Sequence, residues 1–167
     1  EQANEILGRI QGQKFPITKL EQQAKKDRAK PPFITSTLQQ AASSAYGFSA
    51  KRTMQVAQGL YEGVDLPGEG ASGLITYMRT DSFNISKQAQ GTAMELIESL
   101  YGKEYLPEKP NAYRSKKGAQ EAHEAIRPTA VDLHPDSVRQ FLSDDQAKLY
   151  RLIWTRFVGS QMSSAVF

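Results

Sequence analysis

The chain has 167 residues, 39% hydrophobic and 23% charged, a net charge of +3 and no cysteine. That length and apolar content suit one globular domain, and the lack of cysteine excludes disulfides, thiolate metal sites and cysteine nucleophiles. No apolar run nears the ~20 residues that cross a bilayer, and the mild positive charge permits a polyanionic partner without requiring one. The start, Glu1-Gln2-Ala3-Asn4-Glu5, is polar, has no initiator Met and carries no signal-peptide pattern, while the end, Ser164-Ala165-Val166-Phe167, is apolar. Both features fit a segment of a longer polypeptide.

Residues 1–34 read as irregular or extended, with Lys14-Phe15-Pro16-Ile17 as a short edge strand that tolerates its proline. Lys25-Lys26-Asp27-Arg28-Ala29-Lys30, closed by Pro31-Pro32, reads as a solvated hinge, or alternatively as a phosphate-contacting arm. Ser36 with Gln39 fits a capping box that starts a helix carrying Leu38, Ala41, Ala42 and Ala45 and stopping at Gly47. Ser49 caps a second helix with Ala50, Met54, Ala57 and Tyr61 on one face, ended by Gly63. Two short helices joined this way resemble a helix-turn-helix, an arrangement also common in proteins that bind no nucleic acid.

Residues 63–73 read as a glycine-rich loop, and Leu74-Ile75-Thr76-Tyr77-Met78 as a brief buried strand. Ser86 caps a third helix with Ala89, Ala93, Leu96, Ile97 and Leu100, ended by Gly102. Residues 102–120 are loop-like and include the basic Arg114-Ser115-Lys116-Lys117-Gly118. Pro135 starts a short helix through Phe141. Ser143 with Gln146 forms another capping box, opening a last helix with Leu149, Leu152, Ile153, Trp154 and Phe157 that fades near Gly159. The fold class expected is mainly α: a helical domain with helix-turn-helix-like elements, a few short strands, and extended ends that pair with chain from elsewhere.

The chemistry concentrates in Thr76-Tyr77-Met78-Arg79-Thr80-Asp81-Ser82. A tyrosine ending an apolar run is ordinarily a core residue with a bonded hydroxyl. Here a dense polar cluster follows at once, and buried polar groups need partners, for which a phosphate would serve. A phenol ionises only near pH ~10, so its attack on phosphorus needs a nearby cation, metal or base. In an extended segment positions i and i+2 project to the same side, so Tyr77 and Arg79 can reach one phosphate, the arginine with a forked pair of donors.

His123 and Glu124, with Arg127 close behind, form a second cluster. It reads either as an ordinary hydrogen-bonded histidine or as a phosphate-binding and proton-handling group. Position 127 is Arg where a zinc protease motif needs a second His, and the other histidine, His134, precedes a proline, so no metal site is expected in this chain.

Three blocks carry a family resemblance. Gly73-Leu-Ile-Thr-Tyr77-Met-Arg79-Thr-Asp-Ser82 resembles the active-site signature of type IA DNA topoisomerases. Pro32-Phe-Ile-Thr-Ser36-Thr-Leu-Gln-Gln-Ala41 resembles an upstream block of the bacterial enzymes, and Glu121-Ala-His123-Glu124-Ala-Ile-Arg127-Pro-Thr129 a third block. The resemblance runs from about Pro31 to the end. It implies a connecting segment from an adjoining β-rich domain at 1–30, a helical tyrosine-bearing domain at 31–160, and the start of a return strand at 161–167. It further implies that Tyr77 attacks single-stranded DNA to form a 5′-phosphotyrosyl link, and that strand passage and religation relax negatively supercoiled DNA without ATP. Arg79 would clamp the scissile phosphate and His123 would contact it. Thr80, Asp81, Ser82, Glu124 and Arg127 would support the loop or touch DNA. The family's magnesium site lies in an N-terminal acidic domain that nothing in this chain resembles, so the segment alone is expected not to relax DNA. A monomer acting in the cytoplasm, at the bacterial nucleoid, is implied.

Three other readings compete. A non-catalytic helix-turn-helix module accounts for the paired helices and the charge but leaves 77–82 without a reason. A recombinase or type IB enzyme would join to the 3′ phosphate and needs a scattered Arg/His set not found here. A purely structural helical domain would make the three ordered blocks accidental.

Overall fold

A computed structural model describes residues 2–68, 70–114 and 123–167. The Ser115–Gly118 part of the basic loop and Glu121 and Ala122 of the third block lie outside the described residues. In chain order the elements are α1 (Gln2–Ile10), β1 (Lys26–Asp27), α2 (Thr35–Tyr46), α3 (Ala50–Glu62), β2 (Val64–Leu66), β3 (Gly70–Ser72), α4 (Lys87–Tyr101), α5 (Pro135–Val138), α6 (Asp144–Ser160) and β4 (Ala165–Val166). The mainly helical class read from the sequence is what is observed. No described helix is long and apolar enough to cross a membrane.

Helix α6 is the axis of the core. Leu149, Tyr150, Ile153, Trp154, Phe157 and Val158 are all buried along it, and α2, α3 and α5 pack against it. Its start is the expected capping box: the Gln146 N–H donates to the Ser143 hydroxyl, and the Ser143 N–H donates to the Gln146 side chain. Each satisfies a donor the first helical turn would otherwise leave open. Trp154 donates its indole N–H to the Val131 carbonyl at 2.8 Å, and the Tyr150 hydroxyl donates to the Leu133 carbonyl at 2.7 Å. These two bonds hold the loop before α5 against the core, since a buried polar group must find a partner.

Tyr150 supplies a stability test. Burial first, and the nearby Asp132 charge second, push its phenol above the ordinary value of 10.0. A group whose pKa is raised by folding contributes stability that is whole below the unfolded pKa and lost as pH rises beyond it. Tyr150→Phe is expected to cost about 1–2 kcal/mol near neutral pH, where the Leu133 carbonyl loses its donor. Urea titrations of both proteins at neutral pH and above pH ~10 should show that gap narrowing in alkali, because the variant has no phenol to ionise. An equal gap at both would disprove the coupling.

Several expectations are corrected. Residues 2–10 are helical, not irregular: α1 carries Glu5 in its first turn and Arg9 in its last, both favourable to the helix dipole. Ala3, Ile6, Leu7 and Ile10 recur at helical spacing along it, although among the described residues none of α1 is buried. Residues 14–17 form no strand; the extended ends pair instead with each other, Lys26 opposite Val166 and Asp27 opposite Ala165. Helix α2 begins one residue before Ser36, because Thr37 rather than Ser36 takes the free backbone donor, accepting from the Ile34 N–H at 3.0 Å. Helix α3 keeps its Ser49 cap, yet the side it buries is Thr53, Ala57 and Leu60, leaving Tyr61 exposed. The 63–73 loop is a hairpin, with Val64 opposite Ser72 and Leu66 opposite Gly70. Val64 and Leu66 alternate into the core, and Gly68 and Gly70 take positive φ at the turn, where only glycine is unstrained. Residues 74–78 are extended and buried at Leu74, Ile75 and Met78, but join no sheet beyond a single bridge from Ile75 to Pro128.

Candidate nucleic-acid cleavage site

The run 77–82 bends at Met78 and Arg79, and burial alternates along it. Met78, Thr80 and Ser82 are buried, whereas Tyr77, Arg79 and Asp81 are exposed. Phenol, guanidinium and carboxylate are therefore all left at the surface, Arg79 and Asp81 at one hollow and Tyr77 at another. Two hydroxyls hold this run in place. Thr35, the first residue of α2, donates to the Met78 carbonyl at 2.7 Å and accepts from the Thr80 N–H at 2.9 Å. Thr76 donates to the Ala125 carbonyl at 2.7 Å and accepts from the Arg127 N–H at 3.0 Å. The tyrosine run is thereby tied on one flank to a helix start and on the other to the segment carrying His123.

Tyr77 is 45% exposed and lies edge-on to Tyr61, ring centroids 5.3 Å apart. A hollow of about 300 Å³ is lined by Tyr61, Thr76, Tyr77, Thr80, His123 and Glu124. A second, of about 630 Å³, is lined by Ile34, Thr35, Ser36, Gln39, Arg79, Thr80, Asp81 and His123. Thr80 and His123 border both, Tyr77 only the smaller and Arg79 only the larger. Among the described residues the side chains of Tyr77, Arg79, Asp81 and His123 make no hydrogen bond or ion pair. The guanidinium can offer a forked pair of donors to an anion, with the Asp81 carboxylate lining the same hollow.

The other predicted residues are occupied. The Thr80 hydroxyl accepts from the Ser82 N–H, and the Ser82 hydroxyl from the Asn84 N–H, two local turns that steer the chain toward α4. Glu124 accepts the Ser86 N–H at 2.7 Å at the start of α4 and pairs with Arg127 at 2.6 Å. A carboxylate at a helix N-terminus is favourably placed. The Arg127 side chain is only 12% exposed, also donates to the Pro128 carbonyl, and borders neither hollow. The geometry thus gives Glu124 and Arg127 a bracing position. No group of three or more His, Asp or Glu side chains converges as a metal site among the described residues. Sequence reasoning did not single out Thr35, Thr76 or Tyr61. Thr35 stands in a Thr-Ser-Thr run whose members only tertiary bonding tells apart.

Comparison with known proteins identifies the architecture. The family model described as DNA topoisomerase matches residues 1–167, and the chain belongs to the DNA topoisomerase family. It is 50% identical to DNA topoisomerase 1 of Rickettsia prowazekii, over 99% of this chain and 21% of that protein. It is 49% identical to DNA topoisomerase 1 of Helicobacter pylori, over 100% of this chain and 23% of that protein. The full-length topoisomerase I structure from Thermotoga maritima superposes with a TM-score of 0.75 at 45% identity, covering 86% of this chain and 22% of that one. Within the family the similarity is to the bacterial type IA enzymes, and the chain spans roughly a fifth of the length of these relatives.

Proposed function

We propose that the chain is the tyrosine-bearing part of a bacterial type IA topoisomerase and that Tyr77 is the nucleophile. The observation that carries this reading is the half-exposed, unbonded Tyr77 facing a hollow with His123, in the same alternating run as an unpaired Arg79. The phenol oxygen attacks the phosphorus of a phosphodiester in single-stranded DNA. A phosphotyrosyl bond forms to the 5′ phosphate as the phenol gives up its proton, the bond from phosphorus to the 3′ oxygen breaks, and that oxygen takes up a proton to leave as the 3′ hydroxyl. Strand passage follows, and the hydroxyl attacks back to restore the diester and the phenol. Because the phosphotyrosyl link conserves the diester bond energy, the cycle needs no ATP and relaxes negatively supercoiled DNA.

Arg79 clamps the non-bridging oxygens and offsets the charge that grows in the transition state. His123, bordering both hollows, contacts the same phosphate. Thr80, Asp81, Ser82, Glu124 and Arg127 support the run. In the family, magnesium held by an acidic domain would offset phosphate charge; among the described residues no three His, Asp or Glu side chains converge to hold it. In this reading residues 31–160 are the domain that swings to open the DNA gate, 1–30 and 161–167 lead into an adjoining β-rich domain, and the segment by itself does not relax DNA. The complete enzyme acts as a monomer in the cytoplasm, at the nucleoid.

The test uses the full-length enzyme containing this chain, magnesium, and one single-stranded oligonucleotide labelled at the 3′ end in one tube and the 5′ end in another. After a denaturing quench, the protein band should carry label only from the 3′-labelled strand. Label only from the 5′-labelled strand would assign the opposite linkage and overturn the reading. DNA binding with no adduct from either would favour a binding module.

A further inference from the structure

We infer that Thr35, which no sequence motif singles out from its neighbours, is the positioning residue that sets Arg79 for cleavage; the inference rests on the reading of Tyr77 given above. Arg79 is exposed, and among the described residues neither its side chain nor its backbone makes a hydrogen bond. Its place is set by the residues on either side. Both of those are bonded to one hydroxyl: Thr35 Oγ1 lies 2.7 Å from the Met78 carbonyl, 3.0 Å from the Thr80 carbonyl and 2.9 Å from the Thr80 nitrogen. The Thr35 backbone N–H adds a fourth bond, to the Thr80 carbonyl at 3.0 Å. A hydroxyl has one proton to give, and here it is held by the two carbonyls that bracket Arg79. Thr35 therefore acts on the loop rather than on a ligand, although it lines the same hollow as Arg79 and His123.

Rigidity behind Thr35 makes the contact consequential. Helix α2 is anchored in the core through fully buried Leu38 and Ala42, and Phe33 just before it pairs with Ile126. A helix so fixed cannot follow the loop, so the loop must follow the helix. Loss of the hydroxyl leaves the Thr80 N–H and the Met78 carbonyl without that partner and frees the arginine to sample positions off the phosphate. Small displacements of a positioned charge are costly to catalysis, of the order of 100-fold for about 1 Å.

The test uses the full-length enzyme and single-turnover adduct formation at saturating single-stranded oligonucleotide. Thr35→Val should slow adduct formation on the order of 100-fold while oligonucleotide affinity changes by less than about threefold. Thr35→Ser, which keeps the hydroxyl, should recover the rate to within about fivefold. Thr53→Val removes another buried hydroxyl, one that only bonds back to Ser49 within α3, and should leave the rate unchanged. The deciding measurement is the same substitution in an Arg79→Ala background. There Thr35→Val should add less than about a twofold further loss, because the group it aims is gone. An unchanged rate in Thr35→Val, a full additional loss in the Arg79→Ala background, or no recovery by Thr35→Ser overturns the inference. If Thr35→Val does not fold, Thr35→Ala is put through the same cycle with the same criteria. Absence of any adduct from the unsubstituted enzyme would instead defeat the Tyr77 reading, which keeps the two failures apart.

Discussion

Tyr77→Phe in the full-length enzyme is expected to abolish the covalent DNA adduct, a loss of more than about a thousandfold, as typical when a nucleophile is removed. The change deletes a single oxygen. The ring keeps its edge-on contact with Tyr61, and no hydrogen bond is broken because the hydroxyl makes none among the described residues. Stability should therefore stay within about 0.5 kcal/mol of the parent, as for substitutions away from buried or bonded features. Single-strand affinity should be retained, since Arg79, His123 and the hollows they border are untouched. Adduct gels, a urea titration and an oligonucleotide binding curve together check this. Residual adduct at the parental level would remove Tyr77 from the mechanism, whereas a large stability loss would mean the tyrosine is chiefly structural.

Phe33→Ala is expected to have the largest effect on folding, costing about 3–5 kcal/mol. Phe33 is fully buried, its carbonyl accepts from the Ile126 N–H at 2.8 Å, and the Arg156 guanidinium lies 4.3 Å above its ring. The side chain fills the core beside α6, while the main-chain bond to the segment that carries His123 is kept in the variant. Burial holds the Arg156 pKa below its ordinary value, so the contact with the ring face matters where water is scarce. Such a loss is a large part of the ~5–15 kcal/mol by which domains are stable. A urea titration with the denaturation slope unchanged would measure it, and a loss under about 1 kcal/mol would show that the neighbouring chain collapses into the space.

How much of this was legible beforehand differs from element to element. Helices α3, α4, α5 and α6 were placed by local signals, because Ser49, Ser86, Pro135 and Ser143 act within one turn of themselves. The family was legible from three ordered blocks, and the comparisons agree. The hairpin at 64–72 was hidden because its glycines look the same in a loop as in a tight turn. Helix α1 was legible in the helical spacing of Ala3, Ile6, Leu7 and Ile10, against the irregular reading of residues 1–34.

The order of residues alone set Tyr77 and Arg79 two positions apart, the spacing that turns both to one side of an extended segment. It also determined the starts of α3, α4, α5 and α6 and the apolar stripe of α6 that forms the axis of the core. Only the tertiary structure decided which polar groups were already committed. Glu124 and Arg127 are turned to bracing α4, and Thr35 and Thr76 to holding the tyrosine run, while Tyr77, Arg79 and His123 stand unbonded among the described residues. The reason is physical. A hydroxyl or carboxylate bonds to whatever partner folding brings within about 3 Å, and the backbone partners of Thr35, Thr76 and Glu124 lie 38 to 51 residues away along the chain.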